Sequence, residues 1–283
     1  MAEGGEHVIA HPAAPAAPNG RAYRTMSAPS PTTEAATYLA WRRYFDDSIT
    51  VCRAAQEAAH RVGDRHAEAM QWGNLGVTLR EADRAEEAID ALIHARDLYQ
   101  AVRARSHEAA AWGDLGAALW EAGRPQEAIV ALIRARDLAQ ATGDRHGEAG
   151  AWNNLGTALQ GAGRSGEAIE ALIHSRDLAQ AIGDRHGEGI AWNNLGTALW
   201  EAGRTQEAVT AYRKDLEICR EFEDWYGEGQ TLENLARSHM SAHHPAEART
   251  AYLQSADAYT RANAPADAAR VRARAAGLSG QPD

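Results

Sequence analysis

Residues 145–184 read RHGEAGAWNNLGTALQGAGRSGEAIEALIHSRDLAQAIGD, and the chain repeats this pattern every 40 residues. Within it, the segment Trp152-Asn-Asn-Leu-Gly156 is followed at a fixed distance by a Glu-Ala pair. Equivalent segments begin at Trp72, Trp112, Trp192 and, more weakly, Leu232. Such unvarying spacing predicts a solenoid, in which each unit buries its apolar face against its neighbours.

Each unit has the pattern of two helices. In the unit quoted above, one apolar stripe runs from Ala149 through Trp152 to Leu159, on a helix expected from about residue 145 to 160. A second stripe begins at Ala168 and Ile169 on a following helix. These stripes have the 3.6-residue period of amphipathic helices. The sequence therefore predicts an all-α solenoid of antiparallel helix pairs.

A glycine in the middle of each first helix needs an explanation, because glycine there costs about 1 kcal/mol relative to alanine. We predict that the second helix crosses at this point and that alanines on the second helix permit close approach. The glycines are Gly76, Gly116, Gly156 and Gly196, and the alanines are Ala88, Ala128, Ala168 and Ala208.

The breaks between units carry helix-terminating and capping residues. Gly63-Asp64, Gly143-Asp144 and Gly183-Asp184 each pair a terminator with an N-cap residue. The junction at Arg103-Ala104 lacks both, which predicts less sharply ended helices there.

The order of tryptophan, leucine, glycine and alanine residues within a unit resembles the motif of the tetratricopeptide repeat. It reads Trp152, Leu155-Gly156, Leu159, Ala168, Leu172 and Ser175. The period of 40, rather than the family's 34, resembles the longer repeats of kinesin light chains. The segments GDRHGEA, AWNNLG and AGR are similar to repeat regions of actinobacterial STAND-type signalling ATPases and regulators. The resemblance implies a right-handed superhelical solenoid whose first helices line a concave groove that binds other proteins.

The predicted domain organisation follows from this register. Residues 1–31 are rich in Ala and Pro without apolar periodicity, and we expect a disordered tail. The solenoid should cover 32–279, with five to six repeats and a capping helix at 265–278 whose Arg270, Arg272 and Arg274 supply a polar outer face. The predicted units are 32–64 (degenerate), 65–104, 105–144, 145–184, 185–224 and 225–264.

Composition and motifs argue against an enzyme. The only lysine, Lys214, is remote from any glycine-rich loop, so a phosphate-binding loop is excluded. His-x-Glu triplets such as His146-Gly-Glu148 lack the cysteine pair of a zinc deaminase. Cys52 and Cys219 have no metal-ligand spacing. We therefore expect no catalytic, cofactor or metal site.

Charge and hydropathy limit the partners. The net charge of −10 disfavours nucleic acid, and no apolar run is long enough to predict a membrane span. The N-terminus is a poor signal peptide, so a cytoplasmic location is expected. Self-association through an end of the solenoid remains open.

The resemblance places a set of polar and aromatic residues in the groove. We predict a peptide-binding site formed by Asn74, Asp114, Asn153, Asn154, Asn193, Asn194, Asn234, Thr157, Thr197, Trp120, Trp200, Glu121 and Glu201. An asparagine amide can bond both the C=O and the N–H of an extended backbone. Two alternatives stay open: the asparagines bond between adjacent helices, and the tryptophans pack between neighbouring first helices.

Acidic residues outnumber basic ones at the predicted groove positions, which favours a neutral or basic extended segment as ligand. The acids are Asp114, Glu81, Glu121, Glu201 and Glu233, and the bases are Arg80 and Arg237. The function predicted is a non-enzymatic scaffold that binds a segment of a partner protein. The alternative is a sensor or regulatory module that works with a separate STAND-type ATPase or transcriptional regulator.

Overall fold

A computed structural model describes residues 45–278, and these residues form twelve α-helices without any strand. The predictions for 1–31, for 32–44 of the degenerate first unit and for residue 279 lie outside the described residues. The helices are α1 (Phe45–Val62), α2 (Arg65–Glu81), α3 (Ala85–Ala101), α4 (Arg105–Glu121), α5 (Pro125–Thr142), α6 (Arg145–Gly161), α7 (Ser165–Ile182), α8 (Arg185–Glu201), α9 (Thr205–Glu221), α10 (Trp225–Ser241), α11 (Pro245–Arg261) and α12 (Pro265–Gly277).

Consecutive helices pack as antiparallel pairs, and the predicted all-α solenoid is confirmed. We call α2, α4, α6, α8 and α10 the first helices and α1, α3, α5, α7, α9 and α11 the second helices. Each helix packs mainly against the one before it and the one after it, and the first helices also contact one another from unit to unit. Among the described residues, the second helices make no comparable contacts with one another. The first helices therefore line one common face.

The predicted caps are present at the unit boundaries. The carboxylates of Asp64, Asp144 and Asp184 accept hydrogen bonds from backbone N–H groups three residues on, at 2.9, 2.8 and 2.8 Å. The prediction for Arg103-Ala104 is wrong. Helix α3 ends there as sharply as its counterparts, because Arg103 adopts the left-handed conformation (φ 56°) and the N–H of Ala104 bonds the carbonyl of Tyr99 at 2.9 Å.

The mid-helix glycines do lie where the second helix crosses. A methyl group added at Gly156 would lie 2.5 Å from Cγ of Leu172 and 3.2 Å from the carbonyl oxygen of Ala168. The close approach is confirmed, but the space is taken mainly by the residue four positions after the predicted alanine. The equivalent residues are Leu92, Leu132, Leu172 and Tyr212.

Candidate functional site

All thirteen predicted site residues lie on the first helices, and most are half-buried, with Glu121 and Glu201 exposed. We call the surface formed by these thirteen residues the groove face. The packing of the first helices against one another brings equivalent residues of neighbouring units close together. Contacts across this face consequently join residues 41 positions apart in sequence.

The asparagines of α6 and α8 form hydrogen bonds with protein groups. Asn194 Nδ2 donates to Asn153 Oδ1 of the preceding unit at 2.9 Å. Asn153 Nδ2 in turn points to Asn154 Oδ1 at 3.5 Å. Asn193 Nδ2 donates to Asp215 Oδ2 and to Thr231 Oγ1, both at 2.7 Å. Bonding between helices, one of the two roles left open, therefore occurs for Asn153, Asn193 and Asn194.

The threonines of the groove face bond their own helices. The hydroxyls of Thr157 and Thr197 donate to the carbonyls of Asn153 and Asn193 at 3.2 Å. Thr197 also accepts a hydrogen bond from the Tyr212 hydroxyl at 3.1 Å. The hydroxyl hydrogens of Thr157 and Thr197 are therefore already used within their own helices.

Asn74 differs from the other asparagines because its buried Nδ2 has no hydrogen-bond partner among the described residues. The equivalent atom of Asn194 finds its partner 41 residues earlier. The same offset from Asn74 leads to Thr33, which lies outside the described residues.

Both candidate tryptophans pack between neighbouring first helices. A methyl group added at Gly161 would lie 1.8 Å from Cη2 of Trp120, so the indole covers the backbone of α6. Trp200 Nε1 donates to Ser241 Oγ of α10 at 2.9 Å, and the Arg237 guanidinium lies 4.5 Å from the indole ring centre. Each indole remains half-buried.

Some of the acidic residues predicted at the groove are paired with bases. Arg80 Nε lies 3.4 Å from Glu121, whereas Glu201 accepts a hydrogen bond from the uncharged Gln160 at 2.7 Å. Glu233 is paired with Arg270 at 2.6 Å and with Arg274 at 2.5 Å. Both arginines are exposed on the capping helix, where the sequence predicts a polar outer face, and their guanidinium groups also reach Glu233 of α10.

A buried carboxylate, Asp215, connects the groove face to the interior. It is 5% exposed and accepts hydrogen bonds from Thr231 Oγ1 at 2.5 Å and from Asn193 at 2.7 Å. Burial raises the pKa of Asp215 above its ordinary 3.8, and the hydrogen bonds from Thr231 and Asn193 oppose that rise. Asp215 is not among the residues predicted from the sequence, although a signal existed: the equivalent positions carry Ala95, Ala135, Ser175 and Ser255.

The raised pKa of Asp215 has a consequence for stability. Because the folded protein holds this proton more tightly than the unfolded chain does, stability falls as pH rises from 3.8 through the raised pKa. We expect the free energy of unfolding of wild type, minus that of Asp215→Ser, to decrease across this window. Urea unfolding from about pH 4 to 8 measures the difference and cancels other titrating groups. A flat or rising difference would contradict the assignment.

A crevice of about 570 Å³ lies away from the groove face, between the start of α9, the end of α10 and the start of α11. His239 lines it at the position where Leu79, Leu119, Leu159 and Leu199 are buried in the other units. Burial lowers the pKa of His239, as do Arg213 and His244, whereas Glu247 raises it. His239, a histidine where other units carry leucine, is not among the residues predicted from the sequence.

No group of three or more His, Cys, Asp or Glu side chains between residues 45 and 278 is placed to hold a metal ion. Among the same residues, none of the helices combines the length and the apolar character that a membrane crossing requires.

The stacked helix pairs and their shared polar face define a helical-repeat protein of the solenoid class. The chain belongs to the tetratricopeptide repeat family, whose model matches residues 69–141, 107–181, 147–221 and 190–261. The family resemblance of the repeat motif is thereby confirmed. Among curated proteins, none matches the sequence significantly.

Solved structures share the fold at low sequence identity. BtubC (BKLC) from P. vanneervenii is 17% identical, with a TM-score of 0.67 over 84% of this chain and 95% of that one. A Rap protein complexed with Competence and Sporulation Factor is 16% identical, with a TM-score of 0.64 over 87% and 73%. A STAND protein with a tetratricopeptide repeat sensor from Pyrococcus horikoshii is 12% identical, with a TM-score of 0.67 over 87% and 41%.

Proposed function

We propose that this chain is a non-enzymatic interaction scaffold that binds an extended segment of a partner protein on its groove face. The observation that carries the proposal is the pair of neighbouring amides on α6 and α8. Asn154 Nδ2 and Asn194 Oδ1 have no hydrogen-bond partner among the described residues, and neither atom is buried. One free donor and one free acceptor on adjacent helices match the alternating groups of an extended backbone.

The ligand proposed is a neutral or basic segment. Glu201 is exposed and contacts an uncharged glutamine, and Glu121 is exposed near a single arginine. The capping-helix arginines neutralise Glu233, so the attraction for cations is concentrated on the first helices before α10. Nucleic acid and membrane are not proposed as partners, given the net charge of −10, and the proposed location is the cytoplasm.

A second candidate function is a sensor or regulatory module that works with a separate STAND-type ATPase or transcriptional regulator. It is supported by the fold shared with the STAND protein that carries a tetratricopeptide repeat sensor. We also propose that the chain can associate with itself through an end of the solenoid.

Affinity capture from native cell lysate tests the proposal, with wild type compared with Asn154→Ala/Asn194→Ala. Two lost hydrogen bonds of about 0.5–1.5 kcal/mol each predict a roughly 5- to 150-fold weaker complex. Gln140→Ala/Gln180→Ala is the matched control, because it removes two exposed amides from α5 and α7. Urea unfolding of each variant establishes that the solenoid is intact.

The identity of a partner lost with the groove variant alone separates the two functions. An ATPase or transcriptional regulator favours the sensor module, and any other protein favours the free-standing scaffold. If the groove variant and the control retain the same partners at the same affinity, recognition on the groove face is wrong.

A further inference from the structure

Asp215 and Thr231 distinguish the boundary between α9 and α10 from the other unit boundaries. In the other described units, the positions equivalent to Asp215 hold Ala or Ser, and those equivalent to Thr231 are Gln71, Ala111, Ala151 and Ala191. Ser175 and Ser255 bond the carbonyls of Ala149 and Gly229 at 2.9 and 2.6 Å. Asp215 instead bonds a side chain of the groove face, Asn193.

This contact fixes the orientation of the Asn193 amide. The Thr231 hydroxyl gives its single hydrogen to Oδ2 of Asp215, so both oxygens that face Asn193 are acceptors and only its nitrogen can face them. The carbonyl oxygen of Asn193 therefore points away from the buried pair. It has no hydrogen-bond partner among the described residues, and it is not buried.

The neighbouring asparagines are oriented in a complementary sense. Asn194 uses its nitrogen on Asn153, which leaves its oxygen without a partner in the described chain. The oxygen of Asn154 faces the nitrogen of Asn153, and the nitrogen of Asn154 has no partner in the described chain. Helix α8 thus presents the carbonyl oxygen of Asn193 as an acceptor, and the amides of Asn154 and Asn194 each keep one further group without a partner in the described chain.

We propose that Asp215 is a positioning residue that holds Asn193 with its carbonyl oxygen toward the ligand. The proposal rests on the proposed function and specifies its ligand. The bound segment turns a hydrogen-bond donor, from a backbone N–H group or a basic side chain, toward the carbonyl oxygen of Asn193 on α8.

The orientation of Asn193 is testable without any ligand. The variant Asp215→Ser/Thr231→Ala introduces residue types that neighbouring units already carry at these positions, so we expect it to fold. In ¹⁵N-correlated NMR spectra, the side-chain NH₂ of Asn193 should exchange with water roughly fivefold faster or more in this variant, since each lost hydrogen bond is worth about 1 kcal/mol. Equal exchange rates in the two proteins would overturn the positioning role.

The effect on binding is measured with a defined probe. It is the tightest-binding member of a library of fluorescein-labelled nonapeptides built from Ala, Ser, Leu, Gln and Arg. We expect the double variant to bind this peptide roughly 2- to 13-fold more weakly, the loss of one oriented acceptor. Ser175→Ala is the matched control, because it removes a buried hydroxyl at the equivalent position without touching an asparagine, and it should leave the affinity unchanged.

N-methylation of single peptide bonds separates positioning from a general structural effect. At the residue whose N–H meets Asn193, methylation should weaken binding to wild type and have less than half that effect on the double variant. Equal effects on both proteins would overturn the proposal while leaving binding on the groove face intact. Failure of every library member to bind wild type would overturn the peptide-binding function itself and the ligand orientation with it.

Discussion

Gly156→Ala is expected to lower the free energy of unfolding by about 2 kcal/mol, although alanine is the better helix former. Overpacking a close-packed site costs about 1–3 kcal/mol, and the added methyl would lie 2.5 Å from the branch carbon of Leu172. The carbonyl oxygen of Ala168, at 3.2 Å from the added methyl, also leaves little room for α6 to shift along α7. Chemical unfolding monitored by circular dichroism measures the loss.

Gly150→Ala is the matched control on the same helix, α6. A methyl group there meets nothing within 4 Å. Because the methyl group meets no other atom, only the higher helix propensity of alanine matters, and the free energy of unfolding should rise by up to about 1 kcal/mol. Opposite signs for the two substitutions are the expected result. A stabilising Gly156→Ala would mean that α6 and α7 can separate without cost, contrary to the packing described.

Arg270→Ala/Arg274→Ala should release the capping helix from the solenoid. The Glu233 carboxylate is 13% exposed and is paired with both arginines. Without them the carboxylate loses both charged partners, and the Tyr259 hydroxyl at 3.5 Å is the hydrogen-bond partner that remains among the described residues. Leaving a charge in that state costs about 2–3 kcal/mol. Hydrogen exchange of the α12 amides, together with urea unfolding, measures the effect.

Arg272→Ala controls for the loss of positive charge from α12. This residue is exposed, donates a hydrogen bond to Thr260 Oγ1 at 2.9 Å and lies 3.9 Å from Asp257, and at this exposure it should contribute less than about 1 kcal/mol. Adding Glu233→Gln to the double arginine variant removes the unpaired charge and should recover part of the lost stability. If α12 exchanges equally fast in the Arg272 and the double variants, Glu233 does not anchor the capping helix.

Much of the fold was predictable because the solenoid depends on local spacing. The 40-residue register fixes where Leu155 and Leu172 fall on their helices, and capping residues such as Asp144 mark the helix starts. Arg103 shows that the residue type at a junction does not by itself predict how sharply a helix ends. The stacking of adjacent units ends α3 sharply even without glycine, at the cost of a left-handed backbone.

The candidate site was less predictable, because its chemistry depends on contacts between units. The sequence placed Asn193 and Asn194 on one helix face, but it could not show which amide groups neighbouring helices already use. Likewise, the sequence predicts Arg274 as a polar residue of the capping helix, but it does not show that Arg274 pairs with Glu233. A comparison of equivalent positions across units would have singled out Asp215, Thr231 and His239.

The sequence by itself determined the class of structure, the repeat register and the residues on each helix face, because helix periodicity and capping act over only a few residues. Tertiary structure alone decided which donors and acceptors remain for a partner, and which charges are neutralised. Those properties arise where side chains 41 residues apart meet, as in the Asn194–Asn153 hydrogen bond. Buried polar groups must find partners wherever packing places them, and packing is not local.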